Sequence, residues 1–185
     1  MLTREERQEL LRVAREAIRH HLTGAPPPAP PRLADPGRRA GAFVTLRLGD
    51  DLRGCIGHTG GERLLADVVA ECAVAASIDD PRFPPLTPAE LSRVHLEISV
   101  LGPIVPVSDL AEIEVGRHGL IAEQGFRRGL LLPQVASERG WGRETFLSHT
   151  CLKAGLKADA WRAGAAISCF EAEVFEEEPA SGPAA

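Results

Sequence analysis

The chain has 185 residues, with 21 Lys and Arg against 26 Asp and Glu and a formal charge of −5. That length suits one domain, and an apolar content of 44% is enough for an ordinary packed core. The negative balance argues against a nucleic-acid binder that neutralises phosphates, and no apolar run approaches the ~20 residues of a membrane-spanning helix. Met1–Glu9 is charged and has no apolar stretch, so no export signal is expected. Cys55, Cys72, Cys151 and Cys169 are then expected to be free thiols of a cytoplasmic protein.

Thr3 and Glu6 form a capping box ahead of Leu10, Leu11, Ala14, Ala17, Ile18 and Leu22, so residues 1–24 read as a helix that stops at Gly24. Residues 25–36 are proline-rich and read as an extended tether without chemistry. Gly41–Leu48 alternates as a strand, Gly49-Asp50-Asp51 turns, and Leu52–Ile56 returns as its hairpin partner. Glu62–Ile78 carries an apolar helical stripe that includes Cys72. The prolines of Asp79–Leu86 make a stiff loop that fixes the directions of Asp80, Arg82 and Phe83. Thr87-Pro88-Ala89-Glu90 reads as the start of a short helix. His95–Leu101 is a strand with Leu96, Ile98 and Val100 inward and His95, Glu97 and Ser99 on the other face.

Residues 102–116 read as loop, and His118, between Gly116 and Gly119, falls at a strand entry. Gly119–Glu123 and Arg128–Leu132 are the next strands, and Pro133 ends the second and leaves Gln134 on a rigid corner. Glu144–Leu156 is a helix that buries Phe146, Leu147, Cys151 and Ala154. Ile167–Phe175 is the last strand, with Phe170, Ala172 and Val174 inward, and residues 176–185 read as a solvated tail.

The chemistry concentrates in Leu52-Arg53-Gly54-Cys55-Ile56-Gly57, followed by His58. On an ideal strand Arg53 and Cys55 share a face, where a guanidinium would lower the thiol pKa. Gly54 and Gly57 leave the backbone open to close approach, and their N–H groups would hold an anion. With His58 or His118 as base, Cys55 and Arg53 make a candidate nucleophilic site. Asp80, Arg82, Glu97 and Gln134, with Gly54, Gly57 and His58, make the candidate binding set. Cys55-x-x-His58 offers two of the four usual metal ligands, with His118, Glu97 or Asp80 to complete them, and no metal or cofactor is assigned. Phosphate-binding loop, dinucleotide, zinc-finger and G-x-S-x-G patterns are absent.

The hexapeptide, the Asp79–Leu86 loop, Gly116–Leu120, Leu130–Val135 and Lys153–Leu156 together resemble the AMMECR domain family, in the right order from about Gly41 to Phe175. Bacterial and archaeal members are often called AmmeMemoRadiSam system protein A. The resemblance implies a single α+β domain over 1–185 with its core at 41–175. It also implies a mixed or antiparallel sheet flanked by helices, in two unequal lobes whose cleft carries the hexapeptide. The family has no established activity, but its name reflects association with a Memo-like protein and a radical SAM protein. An accessory or substrate-presenting component, acting on an unknown small-molecule or protein substrate, is therefore the leading expectation. A thiol enzyme using Cys55 is the alternative, and a metal-binding or nucleic-acid-associated module comes third. Leu52–Gly57, Asp80–Phe83, His118 and Gln134 are expected to converge on one concave surface.

Overall fold

The structure is a computed structural model that describes residues Met1–Glu178. It divides into two unequal compact units: Met1–Val100 with residues 173–178, and Leu101–Ala172.

In the first unit, helix α1 (Arg4–Thr23) begins at the capping box. Thr3 accepts from the Glu6 N–H, Glu6 accepts from the Thr3 N–H, and Gly24 closes the helix in the left-handed region at φ 69°. Its face of Leu10, Leu11, Ala14 and Ile18 is buried in a core shared with helix α2 (Leu65–Ile78). Strands β1 (Ala42–Leu48) and β2 (Asp51–His58) form an antiparallel hairpin, and β3 (His95–Leu101) pairs on the other side of β1. Val44, Leu46, Leu96 and Ile98 point into that core, so Thr45, Glu97 and Ser99 occupy the opposite face.

The second unit contains β4 (Val105–Pro106), β5 (His118–Gln124), β6 (Arg127–Leu131), helices α3 (Pro133–Glu138) and α4 (Arg143–Lys153), and most of β7 (Ala166–Glu176). β6, β5 and β7 pair in that order, β4 pairs with β7, and each of these ladders is antiparallel. Phe146, Leu147 and Cys151 of α4 pack with Leu120, Ala122 and Ile167. The fold is thus α+β with an antiparallel sheet and flanking helices, as expected.

Several local expectations are corrected. No helix follows Thr87: residues 88–93 are hydrogen-bonded turns, although Glu90 does accept from the Thr87 N–H and hydroxyl. Pro133 does not merely end a strand but opens α3 at its first turn, where its missing N–H is harmless. On β7, Val174 is exposed and Phe175 is buried, because Phe175 joins the first core while Ile167 serves the second. One strand feeding two cores cannot keep a single alternation.

The segments at both ends of the first unit are fastened rather than loose. Arg15 donates to Glu177 and to the carbonyls of Leu91 and Val94, Arg7 pairs with Glu173, and His95 lies 3.1 Å from Glu176. Glu176–Glu178 are therefore tied down, while residues 179–185 of the expected tail lie outside the described residues. The proline-rich connector is extended as expected, but it is a strap. Glu6 accepts from the Ala34 N–H, Glu9 accepts from the Arg32 N–H, Arg12 donates to the Ala29 carbonyl, and Leu33 packs on the core. Replacing residues 25–36 by a glycine-serine linker of equal length should cost about 2 kcal/mol, or roughly 4–8 °C of melting temperature. An unchanged melting curve would show that these contacts carry no net stability.

Candidate functional site

β2 is the outer strand of the β2–β1–β3 sheet, so one side of its backbone has no neighbouring strand. At Cys55 both backbone groups on that side are satisfied by the Asp79–Leu86 loop. The Cys55 N–H donates to Asp80 Oδ2 at 2.8 Å, and its carbonyl accepts from Arg82 Nη2 at 3.4 Å. Asp80 is 3% exposed. Its carboxylate also takes Arg82 Nη2 at 2.6 Å, Arg82 Nε at 2.9 Å and the Arg82 N–H at 3.1 Å. The Arg82 hydrogen bonds, aided by that of the Cys55 N–H, hold the Asp80 carboxyl far below its ordinary range. Arg82 itself is half-exposed, and its guanidinium lies 5.4 Å from the Phe83 ring.

Arg53 has a different task from the expected one. Its neighbours Leu52 and Gly54 pair with the consecutive residues Arg47 and Leu46, so Arg53 is the extra residue of a β-bulge and the simple alternation with Cys55 fails there. Its guanidinium is buried against the loop, donating to the carbonyls of Pro84 at 2.8 Å and Pro85 at 3.3 Å and to both oxygens of Glu90. Arg53 and the two Thr87 donors bring the Glu90 carboxyl down to about 2. The guanidinium that acts on the Cys55 thiol is instead that of Arg82.

The two glycines admit parts of the chain itself. A Cβ on Gly54 would lie 2.1 Å from the Ala76 carbonyl oxygen of α2, and one on Gly57 would lie 2.1 Å from the Phe43 ring. Neither glycine has positive φ. Their role is to bring helix and ring close to the strand.

Cys55 is half-buried, and its sulfur accepts from the Thr45 hydroxyl at 3.3 Å. Thr45 pairs with Cys55 on one side and with Glu97 on the other, so the three form a polar row across the sheet. Ser99, one step along the same face, is 1% exposed, and its hydroxyl has no hydrogen-bond partner among the described residues. Burial pushes the Cys55 thiol up; Thr45 and Arg82 oppose this, while Asp80 and Glu97 reinforce it. The net direction is upward, away from the thiolate, and the guanidinium that opposes it belongs to Arg82 rather than to Arg53.

His58 ends β2 opposite Ala42, three residues from Cys55 and so on the other face of the strand. This arrangement does not make the pair a metal clamp or a thiol–base couple. Among the described residues no group of three His, Cys, Asp or Glu has metal-binding geometry. His118 and Gln134 belong to the second unit. His118 Nδ1 accepts from the Glu114 N–H at 3.1 Å, which steadies the turn entering β5. Gln134 lies in the first turn of α3, with its buried Oε1 unpartnered among the described residues.

Sequence reading brought Leu52–Gly57, Asp80 and Arg82 together, as the structure does. It missed Thr45, Ser99 and Glu90 as their neighbours. Thr45 carried only a partial signal, since a plain two-residue hairpin across Gly49–Asp50 sets it opposite Gly54 and the bulge at Arg53 moves it to Cys55. Glu90 carried none, because its contact with Arg53 depends on the bulge.

The AMMECR1 family model matches residues 11–175. The chain belongs to the AMMECR1 family. It is 43% identical to a protein of Methanosarcina barkeri, over 98% of this chain and 95% of that one. It is also 45% identical to a protein of Methanopyrus kandleri, over 98% and 93%. The crystal structure of an uncharacterised protein from Pyrococcus horikoshii matches with a TM-score of 0.87 at 39% identity, covering 97% of this chain and 94% of that one. Leu52–Gly57, within the matched span, is set on an edge strand whose open side is closed by the Asp80 loop.

Two depressed carboxyls in that closure make acid a probe of it. Their folded pKa values lie below the unfolded ones, so the unfolded chain takes up protons first. Their contribution is complete above the unfolded carboxylate range and is lost as pH falls from 4.5 through about 2 for Glu90, and lower still for Asp80. Asp80→Asn should cost about 2–3 kcal/mol at pH 7 and flatten the acid limb of a melting-temperature profile. An acid limb identical to that of the wild type would separate Asp80 from the edge closure.

Proposed function

We propose that this AMMECR1-family chain acts as an accessory, substrate-presenting component alongside a Memo-like and a radical SAM protein, rather than as a thiol enzyme. The partner classes come from the family resemblance. The preference for presentation over catalysis rests on how Cys55 is held. A thiol nucleophile needs a thiolate or an adjacent base, and donors aimed at the developing anion. Here the Cys55 N–H is committed to Asp80, the sulfur is held by the Thr45 hydroxyl, burial pushes the thiol up, and His58 faces away. A neutral thiol in a row with Thr45 and Glu97, beside Ser99, is arranged to hold a polar group rather than attack one.

Alkylation of the folded chain with iodoacetamide across a pH series tests the chemical half. Cys55 should reach half-maximal rate at a higher pH than a free cysteine does, and Cys72, whose thiol is pushed up to about 11, should remain unmodified with Cys151. Rapid Cys55 alkylation at neutral pH, with a midpoint below the free-thiol value of ~8.5, would restore the enzyme reading. Affinity capture tests the other half, using the tagged chain and the Memo-like and radical SAM proteins of the same genome. Wild type and Cys55→Ser should retain a partner equally, and failure of the wild type to retain either would overturn the accessory role.

A further inference from the structure

The second unit holds a cavity of about 460 Å³ between α4 and the 3-10 turn Ala160–Arg162, away from the residues discussed above in sequence and role. Trp161 makes one wall, half-buried, with its indole N–H donated to Ser148 Oγ at 3.3 Å. The Arg162 guanidinium lies over that indole, 4.4 Å from the ring centroid, and Glu144 holds it at 2.9 Å. Asp159, just before the turn, also lines the space. His149 closes another side, its ring fixed parallel to Trp141 at 4.0 Å and 6°.

An indole face with carboxylates at its rim is the arrangement that recognises an organic cation, and a planar guanidinium both stacks on the ring and pairs with a carboxylate. The chain supplies the demonstration of fit, because one of its own guanidinium groups lies there with both contacts made. We propose that the indole–carboxylate wall of this cavity recognises a guanidinium group, brought by free arginine or by an arginine side chain of a partner, and that Arg162, which lines the cavity, occupies that position from within and is displaced on binding. Arg162 and Glu144 are exposed, and such ion pairs are weak, so release disturbs little else. A tethered side chain competes at high effective concentration, so its presence weakens binding from outside. This inference is independent of the accessory role proposed above.

The test is a titration of the full-length chain with arginine hydrochloride, with ionic strength held constant by sodium chloride. The readouts are the Trp161 indole N–H resonance and tryptophan fluorescence. Arg162→Ala should show a saturable response, on the order of millimolar, at several-fold lower arginine than wild type. Arg162→Lys, which keeps an internal cation without the planar fork and serves as the folded control, should respond between wild type and Arg162→Ala. Glu144→Gln in the Arg162→Ala background should weaken the response roughly tenfold. Acetyl-Gly-Arg-Gly-amide distinguishes the sources: binding equal to free arginine assigns a side chain, and binding of free arginine alone assigns the amino acid. The proposal is overturned if Arg162→Ala binds arginine no more tightly than wild type, or if sodium chloride or glycine amide reproduces the response.

Discussion

The buried carboxylate of Asp80 closes the open edge of β2, and the organisation of the hexapeptide follows from it. An edge strand presents unpaired N–H and C=O groups to any passing chain. Asp80 and Arg82 give Cys55 one acceptor and one donor, the two things a neighbouring strand would supply. Burying a charge this completely is costly unless it is both paired and hydrogen-bonded. Four donors from Arg82 and Cys55 meet that condition, while the exposed side of the Arg82 guanidinium stays hydrated. The prolines at 81, 84 and 85 reduce the loop's freedom before it docks, so less conformational entropy is lost when it does.

Arg53 makes the complementary attachment one bulge away. It reaches the far end of the same loop through two carbonyls and Glu90, so the loop is anchored at both ends to one strand, at Arg53 and at Cys55. Gly54, the residue between the anchors, has no side chain because the α2 backbone occupies that space. These constraints give a structural account of why arginine, glycine and cysteine stand together. Each is demanded by a contact within the chain, and only the Cys55 sulfur is turned towards the polar face of the sheet.

Much of this architecture was legible because its signals are local. Capping residues, periodicity and turn glycines mark α1, β1, β3, β5 and α4 to within a few residues. What escaped reading was set by contacts between distant residues. The bulge at Arg53 inverts the face assignment that alternation gives, and nothing in the hexapeptide announces it. Glu176–Glu178 look solvated by composition, yet Arg4, Arg15 and His95 hold them through pairs that cross 81 to 174 positions. Glu6 reads only as a capping-box residue and Glu9 as an exposed helix residue, and only the returning connector shows them to be acceptors for its backbone.

The same contrast bears on the candidate site. Residue types alone make Cys55, Arg53 and His58 look like a reactive trio, because a thiol, a guanidinium and an imidazole lie within six positions. A strand separates them: the bulge diverts Arg53 into the loop, and the three-residue spacing turns His58 to the opposite face. Cys55 is left with the hydroxyl of Thr45, the carboxylate of Glu97 and the guanidinium of Arg82, of which one donates to the sulfur and the others act through charge. Burial outweighs the favourable members of that set and pushes the thiol up. The buried hydroxyl of Ser99 extends this face by a polar group whose hydrogen-bonding capacity the described protein atoms leave unused. Since a buried hydroxyl without a partner is costly, a bound polar group here would gain by satisfying it.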